Sequence, residues 1–302
     1  MKVLVTGKDG QLGQALQAAA PKGWELLFTG RDQLDLADPQ ACRRLVAAHG
    51  PDWVINAGAF TAVDRAESEP ERAHAVNEGA PRAFAQALAE TGGRLLQLST
   101  DYVFNGAQSH PYQPEQTMEP LGVYGRSKAA AEGAVIALLG QDRATILRTG
   151  WVYGPVGKNF CRTMLNLHHQ KAARGQVLGV VADQVGCPTS TLGLAAACWA
   201  LVRRGIGGCH HWSDAGAASW YDFAVAIGSL GTAAGLLEKA ADVRPLTTAD
   251  YPTPAKRPFY SLLDCTATRA ALQLPPLHWG DALADVLAQI TARTTPALHS
   301  FR

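Results

Sequence analysis

The sequence predicts an α/β protein: a doubly wound parallel sheet followed by a smaller C-terminal lobe. Three observations carry that expectation. Short aliphatic and β-branched runs alternate with helical patterns through the first 150 residues. A glycine-rich turn joins the first run to the first helical pattern. Beyond Gly150 the alternation gives way to loop-like and proline-rich stretches.

Lys2 to Thr6 is a continuous aliphatic run, the pattern of a strand buried on both faces. Gln11 to Ala20 has helical spacing and stops at Pro21. Trp24 to Phe28 reads as a second strand. Asp38 before Pro39 reads as an N-cap and a first-turn proline, opening a helix to Ala48. Trp53 to Asn56 is a third strand. Pro70 to Thr91 is a long alanine-rich helix ended by Gly92 and Gly93. Arg94 to Leu98 is a fourth strand, Val123 to Leu139 a helix, and Ala144 to Leu147 a fifth strand. Right-handed crossovers wind such units into one sheet. Residues 151–302 hold helical patterns near Cys161 to Ala173 and Leu192 to Arg204, interrupted by "DQVGCPTS" and followed by "RPLTTADYPTPAKRPFYSLLD". They are expected to cover the sheet edge, with the chain crossing back to the domain of residues 1–150.

Composition narrows the function. The chain has 302 residues, 47% of them hydrophobic, enough for one large or two modest cores. The net charge is +1 and the basic residues form no run, which argues against a nucleic-acid partner. The six cysteines form no CxxC pair and are expected to be reduced thiols. The start "MKVLVTGKDG" lacks the pattern of a signal peptide, and Leu192 to Val202 is too short to span a bilayer. A cytoplasmic protein with no membrane partner is expected.

Ligands of doubly wound sheets lie beyond the carboxyl ends of the strands. "TGKDGQLG" falls there, with Gly7, Gly10 and Gly13 between the first strand and first helix. Glycines allow a tight turn, close backbone approach to a pyrophosphate and close helix–strand packing, and the helix N-terminus adds donors. The expectation is a Rossmann-type site for a dinucleotide. The second strand is followed by Arg31, which faces a 2′-phosphate in one reading and is a solvated loop arginine in the other. NADPH is therefore expected, with NADH left open by Asp32 and Asp35.

"VYGRSKAAAE" places Tyr124 and Lys128 four apart, on one face of a helix. A nearby ammonium favours the phenolate, and a tuned tyrosine exchanges a proton with a carbonyl oxygen as hydride is transferred. "LSTDYVFNG" ends the fourth strand in the hydroxyls of Ser99 and Thr100 and a carboxylate, which reads as a strand end facing substrate or as a solvated strand end with turn-forming residues. Asp101 reads equally well as a turn residue.

The GxxGxxG spacing resembles the short-chain dehydrogenase/reductase superfamily, especially its extended sugar-nucleotide branch. Segments from residue 7 to 264 resemble one family, the dTDP-4-dehydrorhamnose reductases: "GKDGQLG", "DLAD", "NAGAFTAVDRAESEP", "STDYVFNG", "VYGRSK", "LRTGWVYGPVGKNF", "VADQVGCPT", "SWYDFA" and "TPAKRPFYSLLD". The resemblance implies reduction of the C4 ketone of dTDP-4-dehydro-β-L-rhamnose to dTDP-L-rhamnose by a nicotinamide cofactor. It implies that the later lobe binds substrate and that the chain is a monomer or homodimer.

The resemblance also assigns residues. Thr100, favoured over Ser99, joins Tyr124 and Lys128 at the chemistry. Gly10, Gln11 and Leu12 approach the pyrophosphate. Asp35 and Leu36 lie by the adenine, and Ala59, Phe60 and Thr61 line the dinucleotide. Asn77 matches the superfamily's asparagine; the alternative is a helix-surface amide. Val63, Thr100, Tyr102 and Trp151 touch the dTDP-sugar, although Trp151 also suits a core. Arg257 meets the nucleotide diphosphate or makes a structural salt bridge. Some members hold magnesium through glutamates, one on the first helix. Here that helix begins "GQALQ", with Gln14, Ala15 and Gln17, so no metal is expected. The adjacent pairs His168–His169 and His210–His211 lack metal-binding spacing.

Two other readings stay open. One keeps the fold and changes the chemistry: another dTDP-hexulose reductase, or a sugar-nucleotide epimerase or dehydratase that retains NAD. The other is a non-catalytic NADP-binding regulatory subunit of methionine adenosyltransferase. The joint presence of Thr100, Tyr124 and Lys128 argues against the latter.

Overall fold

The computed structural model describes residues 1–294; the remainder of the C-terminal lobe expected from sequence, 295–302, lies outside the described residues. In chain order come β1 (Lys2–Thr6), α1 (Gln11–Ala18), β2 (Glu25–Thr29), α2 (Pro39–His49), β3 (Trp53–Asn56), α3 (Val63–Ser68), α4 (Pro70–His74), α5 (Ala80–Thr91), β4 (Arg94–Thr100), α6 (Val123–Arg143) and β5 (Ala144–Thr149). Then follow β6 (Val152–Tyr153), α7 (Phe160–Ala173), β7 (Leu178–Val181), β8 (Val185–Gly186), β9 (Thr189–Ser190), α8 (Thr191–Arg204), β10 (Gly208–His211), β11 (Ala218–Ser219), α9 (Trp220–Ala233), β12 (Val243–Leu246), α10 (Thr266–Leu272) and α11 (Trp279–Thr294).

Six parallel strands form the central sheet in the order β10-β5-β4-β3-β1-β2. Alternate side chains leave a strand on opposite faces, and the two cores follow from that. Val3, Val5, Ile55, Leu96 and Leu98 pack with Leu12 and Leu16 of α1 and with Leu194, Cys198 and Trp199 of α8. Leu4, Val54, Leu95 and Ile146 face the other way, against Val46 of α2, Phe84 and Leu88 of α5 and Val135 of α6. The doubly wound α/β sheet expected from the sequence is therefore present. After β6 and α7 the chain returns to it, first as α8, whose Trp199 indole donates to the Leu16 carbonyl at 3.1 Å, then as edge strand β10.

Local chemistry sets the element ends. Asp38 accepts from the backbone of Gln40 and Ala41, and left-handed Gly50 closes α2. A third core joins Phe223 and Ile227 of α9, Met164 of α7, Tyr153 of β6 and Leu283, Val286 and Leu287 of α11. This forms the lobe beside the strand ends. All six cysteines are free thiols.

Two differences from the expected elements bear on the site. Pro70 to Thr91 reads as one helix but is interrupted by a π-turn at Ala75–Gly79 between α4 and α5. Helical periodicity is blind to one extra residue in a turn, and such bulges gather at functional sites. Strand β4 continues beyond Leu98 through Ser99 and Thr100, which pair in register with Arg148 and Thr149. The hydroxyls are the last rungs of the ladder and not the first residues of a loop.

Candidate active site

A cleft of about 760 Å³ opens at the carboxyl ends of the strands, between sheet and lobe. At one end lies the glycine turn. Gly7 is left-handed, at φ +73°, and a Cβ there would come within 2.8 Å of the Gly58 nitrogen. A Cβ on Gly13 would stand 2.0 Å from the Gly7 carbonyl oxygen. The turn thus needs glycine at both positions, one for its conformation and one for the closeness of α1. Helix α1 has no side-chain cap, and its first helical bond runs from the Gln14 N–H to the Gly10 carbonyl. The first-turn N–H groups of Gln11 and Leu12, which line the cleft, are left to a ligand. This is a built anion cradle, and it fits a dinucleotide pyrophosphate.

Arg31, Asp35 and Leu36 line the cleft beyond β2. Asp32 faces Lys8 at 3.5 Å, and Lys8 also donates to Gln33 at 2.6 Å. No ion pair engages Arg31 among the described residues. Lys8, which motif reading passes over, adds a second cation at the end of β2. Asp35 is turned to its own loop, accepting from the Ala37 N–H.

Ala59, Thr61 and Val63 line the cleft above β3. Phe60 and Asn77 do not; they support it. Asn77 is buried in the π-turn, where its Oδ1 accepts from the Phe60 N–H at 2.8 Å. Its Nδ2 donates to the Phe60 carbonyl at 3.1 Å and to Ser127 Oγ at 3.0 Å. The π-turn therefore aims one amide at the loop after β3 and at α6 together.

Thr100, Tyr124 and Lys128 converge at the far end of the cleft. Thr100 Oγ1 donates to Asp101 Oδ1 at 3.0 Å and accepts from the Tyr102 N–H at 3.2 Å. The Ser99 hydroxyl is turned to Glu132, to which it donates and which is also gripped by Arg148 at 2.7 Å in a buried ion pair. Strand alternation separates the two hydroxyls, and only Thr100 adjoins the Tyr124 phenol. Lys128 is buried, with Nζ donating to the Leu98 carbonyl at 2.5 Å. Burial lowers its pKa to about 8 against the pull of Glu132.

Tyr124 departs from the expected electrostatics. Burial pushes its phenol up to about 12, the Asp101 charge adds to that, and the Thr100 hydroxyl opposes it. Lys128 does not make this tyrosine a phenolate. The phenol keeps its proton at neutral pH, the form a proton donor needs.

The lobe supplies the opposite wall. Trp151 stacks on Trp220 of α9 with ring centroids 3.5 Å apart and planes within 4°, and both line the cleft. Trp151 holds φ +52°, rare for a bulky residue. Gly186 makes room, since a Cβ there would lie 2.6 Å from the indole. Trp220, quoted above only within the segment "SWYDFA", opens α9, where Ser219 and Asp222 form a capping box around it. Tyr102 lines the same end, edge-on to Tyr124 with centroids 5.8 Å apart. Arg257 is outside the lining and pairs with Asp64 of α3 at 2.8 Å. Among the described residues no cluster of His, Cys, Asp and Glu is placed to hold a metal ion, and no helix is long and apolar enough to cross a membrane.

A glycine cradle at a helix N-terminus, followed along one cleft by a Thr–Tyr–Lys cluster, defines a dinucleotide-dependent oxidoreductase on a short-chain dehydrogenase/reductase fold. The family model described as the RmlD substrate binding domain matches residues 1–292, and the chain belongs to that family. It is 40% identical over 293 residues to a dTDP-4-dehydrorhamnose reductase of Sinorhizobium fredii, covering 93% of this chain and 95% of the relative. It is 39% identical over 299 residues to a Streptomyces antibioticus protein named "Probable dTDP-4,6-dihydroxy-2-methyloxan-3-one 4-ketoreductase", covering 98% of each. A solved dTDP-4-dehydrorhamnose reductase of Bacillus anthracis in complex with NADP superposes with a TM-score of 0.87 at 31% identity, over 95% of this chain and 99% of that one.

Proposed function

We propose that this protein reduces the C4 ketone of dTDP-4-dehydro-β-L-rhamnose to dTDP-L-rhamnose with NADPH. The observation that carries this reading is the convergence of Thr100, Tyr124 and Lys128 at the end of a cleft that begins in a glycine cradle. The relatives' names supply the substrate class.

NADPH, when bound, supplies the hydride. The chain's own residues do the rest. Gln11 and Leu12 offer backbone donors to the pyrophosphate, Arg31 meets the 2′-phosphate, and Ala59 and Thr61 border the dinucleotide. Asn77 holds the Phe60 loop that carries those two residues. Lys128 keeps one donor on Leu98 and has others for a ribose hydroxyl and for the phenolate left after reaction. Tyr124 carries the proton given to the ketone oxygen. Val63, Tyr102, Trp151 and Trp220 enclose the sugar nucleotide and exclude water. Arg257, held by Asp64, ties down the loop beside that end. Residues 1–150 chiefly bind the dinucleotide and 151–302 the substrate. The protein acts in the cytoplasm, as a monomer or homodimer, without magnesium.

A second reading, reduction of a different dTDP-hexulose, is favoured by the Streptomyces relative. The test is to incubate the purified protein with NADPH and dTDP-4-dehydrorhamnose and identify the product. dTDP-L-rhamnose with matching NADPH consumption supports the first reading. Failure on that ketone with turnover of another dTDP-hexulose supports the second.

A further inference from the structure

The loop between β6 and α7 meets the glycine turn, and two of its residues abut one side chain there. Gly157 is left-handed, at φ +72°, and a Cβ on it would come within 3.1 Å of Gln11 Cγ. Asn159 is buried, and its Nδ2 donates to Gln11 Oε1 at 2.8 Å and to the Gly154 carbonyl at 2.9 Å. Its Oδ1 caps α7 by accepting from the Arg162 N–H at 2.9 Å, and Arg162 donates to the Pro155 carbonyl at 2.8 Å. At its start the loop is wedged against α8, where a Cβ on Gly154 would stand 2.3 Å from Thr191 Oγ1. Both neighbours of Lys158 are thus fixed against Gln11, the first residue of α1. The Gln11 amide belongs to this joint between lobe and sheet, which leaves its backbone N–H to the cradle.

Three cationic side chains line the cleft: Arg31, Lys128 and Lys158. Arg31 stands beyond β2, and Lys128 is turned to the Leu98 carbonyl. Lys8, in the glycine turn itself, is drawn to Gln33 and Asp32. Lys158 is exposed, and no hydrogen bond or ion pair engages it among the described residues. The cradle's own donors are neutral, and Asp9 of the turn lines the cleft as an acid. A helix N-terminus is worth about half a positive charge, well short of the two negative charges of a dinucleotide diphosphate.

We propose that Lys158 is a further cofactor-binding residue: it supplies the cation for the diphosphate of the dinucleotide, and the Gln11–Asn159 hydrogen bond holds its loop at the cradle. The inference rests on the reading of the cleft as an NADPH site. An ammonium is a point charge with three donors on a flexible stem, so it serves either phosphate without a fixed angle. The sugar nucleotide carries a diphosphate too; the contacts of Gly157 and Asn159 with Gln11 assign Lys158 to the cofactor's. The dinucleotide is then gripped at one point from the sheet and from the lobe.

The test is Lys158→Gln, with NADPH and NADH titrated in parallel by fluorescence and dTDP by calorimetry. Lys158 is exposed, and the substitution leaves both flanking contacts in place. Loss of a charge-assisted hydrogen bond should weaken NADPH about tenfold. NADH should weaken by the same factor, since the two cofactors share the diphosphate and differ at the 2′-phosphate. Cofactor binding should depend less on salt, and Lys158→Arg should restore most of the affinity. Affinity for dTDP should not change. Gln11→Ala, which removes the joint but keeps the backbone donor, should weaken both cofactors, and by a smaller factor in a Lys158→Gln background. Unchanged NADPH and NADH affinity in Lys158→Gln would overturn the proposal. So would a loss confined to NADPH, which puts Lys158 at the 2′-phosphate, or one confined to dTDP, which puts it on the substrate. These titrations need no turnover. A natural protein that binds NADPH but reduces no dTDP-hexulose defeats the reaction proposed above, and the titrations still decide the role of Lys158. A natural protein that binds neither cofactor defeats both.

Discussion

Arg257 holds Asp64 with both arms of its guanidinium, Nη1 to Oδ1 at 3.0 Å and Nη2 to Oδ2 at 2.8 Å, and so ties the loop after Thr253 to helix α3 at the cleft mouth. The Arg257 hydrogen bond is the main cause that holds the Asp64 carboxyl below its usual range. The pair is half open to water, with the Asp64 side chain 42% exposed. Its contribution to stability is accordingly about 1 kcal/mol or less. A double-mutant cycle of Arg257→Ala and Asp64→Asn in urea should give a coupling of that size. Because a depressed carboxylate pKa stabilises only above the unfolded value, the coupling should vanish as acid protonates Asp64. Both variants should raise KM for the sugar nucleotide by similar factors. A rise confined to Arg257→Ala would instead mean that the guanidinium touches substrate directly.

Lys128 makes NADPH affinity depend on pH. Burial lowers its pKa in the free protein to about 8, and the charged form is the one that serves a ribose hydroxyl and a phenolate. Affinity should hold below pH 8 and weaken above it. Lys128→Met should bind more weakly at neutral pH and show no such decline. Titrating cofactor fluorescence across that range checks both points. The same shift has a stability consequence of known sign. The unfolded chain keeps this proton to higher pH than the native one, so the Lys128 term in stability rises between about 8 and the ordinary lysine value.

Arg31 should set the cofactor preference. It lines the cleft after β2 free of any ion pair among the described residues, while Asp32 is drawn to Lys8. Parallel titrations should show NADPH binding more tightly than NADH, and Arg31→Ala should narrow the gap by weakening NADPH alone. Tighter NADH binding by the natural protein would contradict this assignment.

The sheet was legible because each strand is a continuous aliphatic run punctuated by Gly, Pro or an N-cap, and the cleft because the glycine turn and Tyr124–Lys128 are local patterns. What remained hidden depends on contacts across long sequence separations. Asn77 reads as a surface amide until the π-turn swings it onto Phe60 and Ser127. Ser99 and Thr100 are equivalent in sequence, and only the strand pleat sends one to Glu132 and the other to the cleft. The pairings of Trp151 with Trp220 and of Arg257 with Asp64 join distant segments, and no local pattern announces them. The direction of the Tyr124 shift runs against the Lys128 spacing because burial outweighs a neighbour that is turned toward Leu98.

The central claim is that the buried phenol of Tyr124 delivers the proton to a sugar-nucleotide ketone, and the most direct measurement is turnover by Tyr124→Phe. The substitution keeps the ring and its edge contact with Tyr102 but removes the acidic hydrogen. A general acid typically contributes about 10²–10⁴-fold in rate. The account predicts a loss in kcat of that order with dTDP-4-dehydrorhamnose, while NADPH binding stays close to that of the natural protein. Turnover by Tyr124→Phe at the natural rate would contradict it.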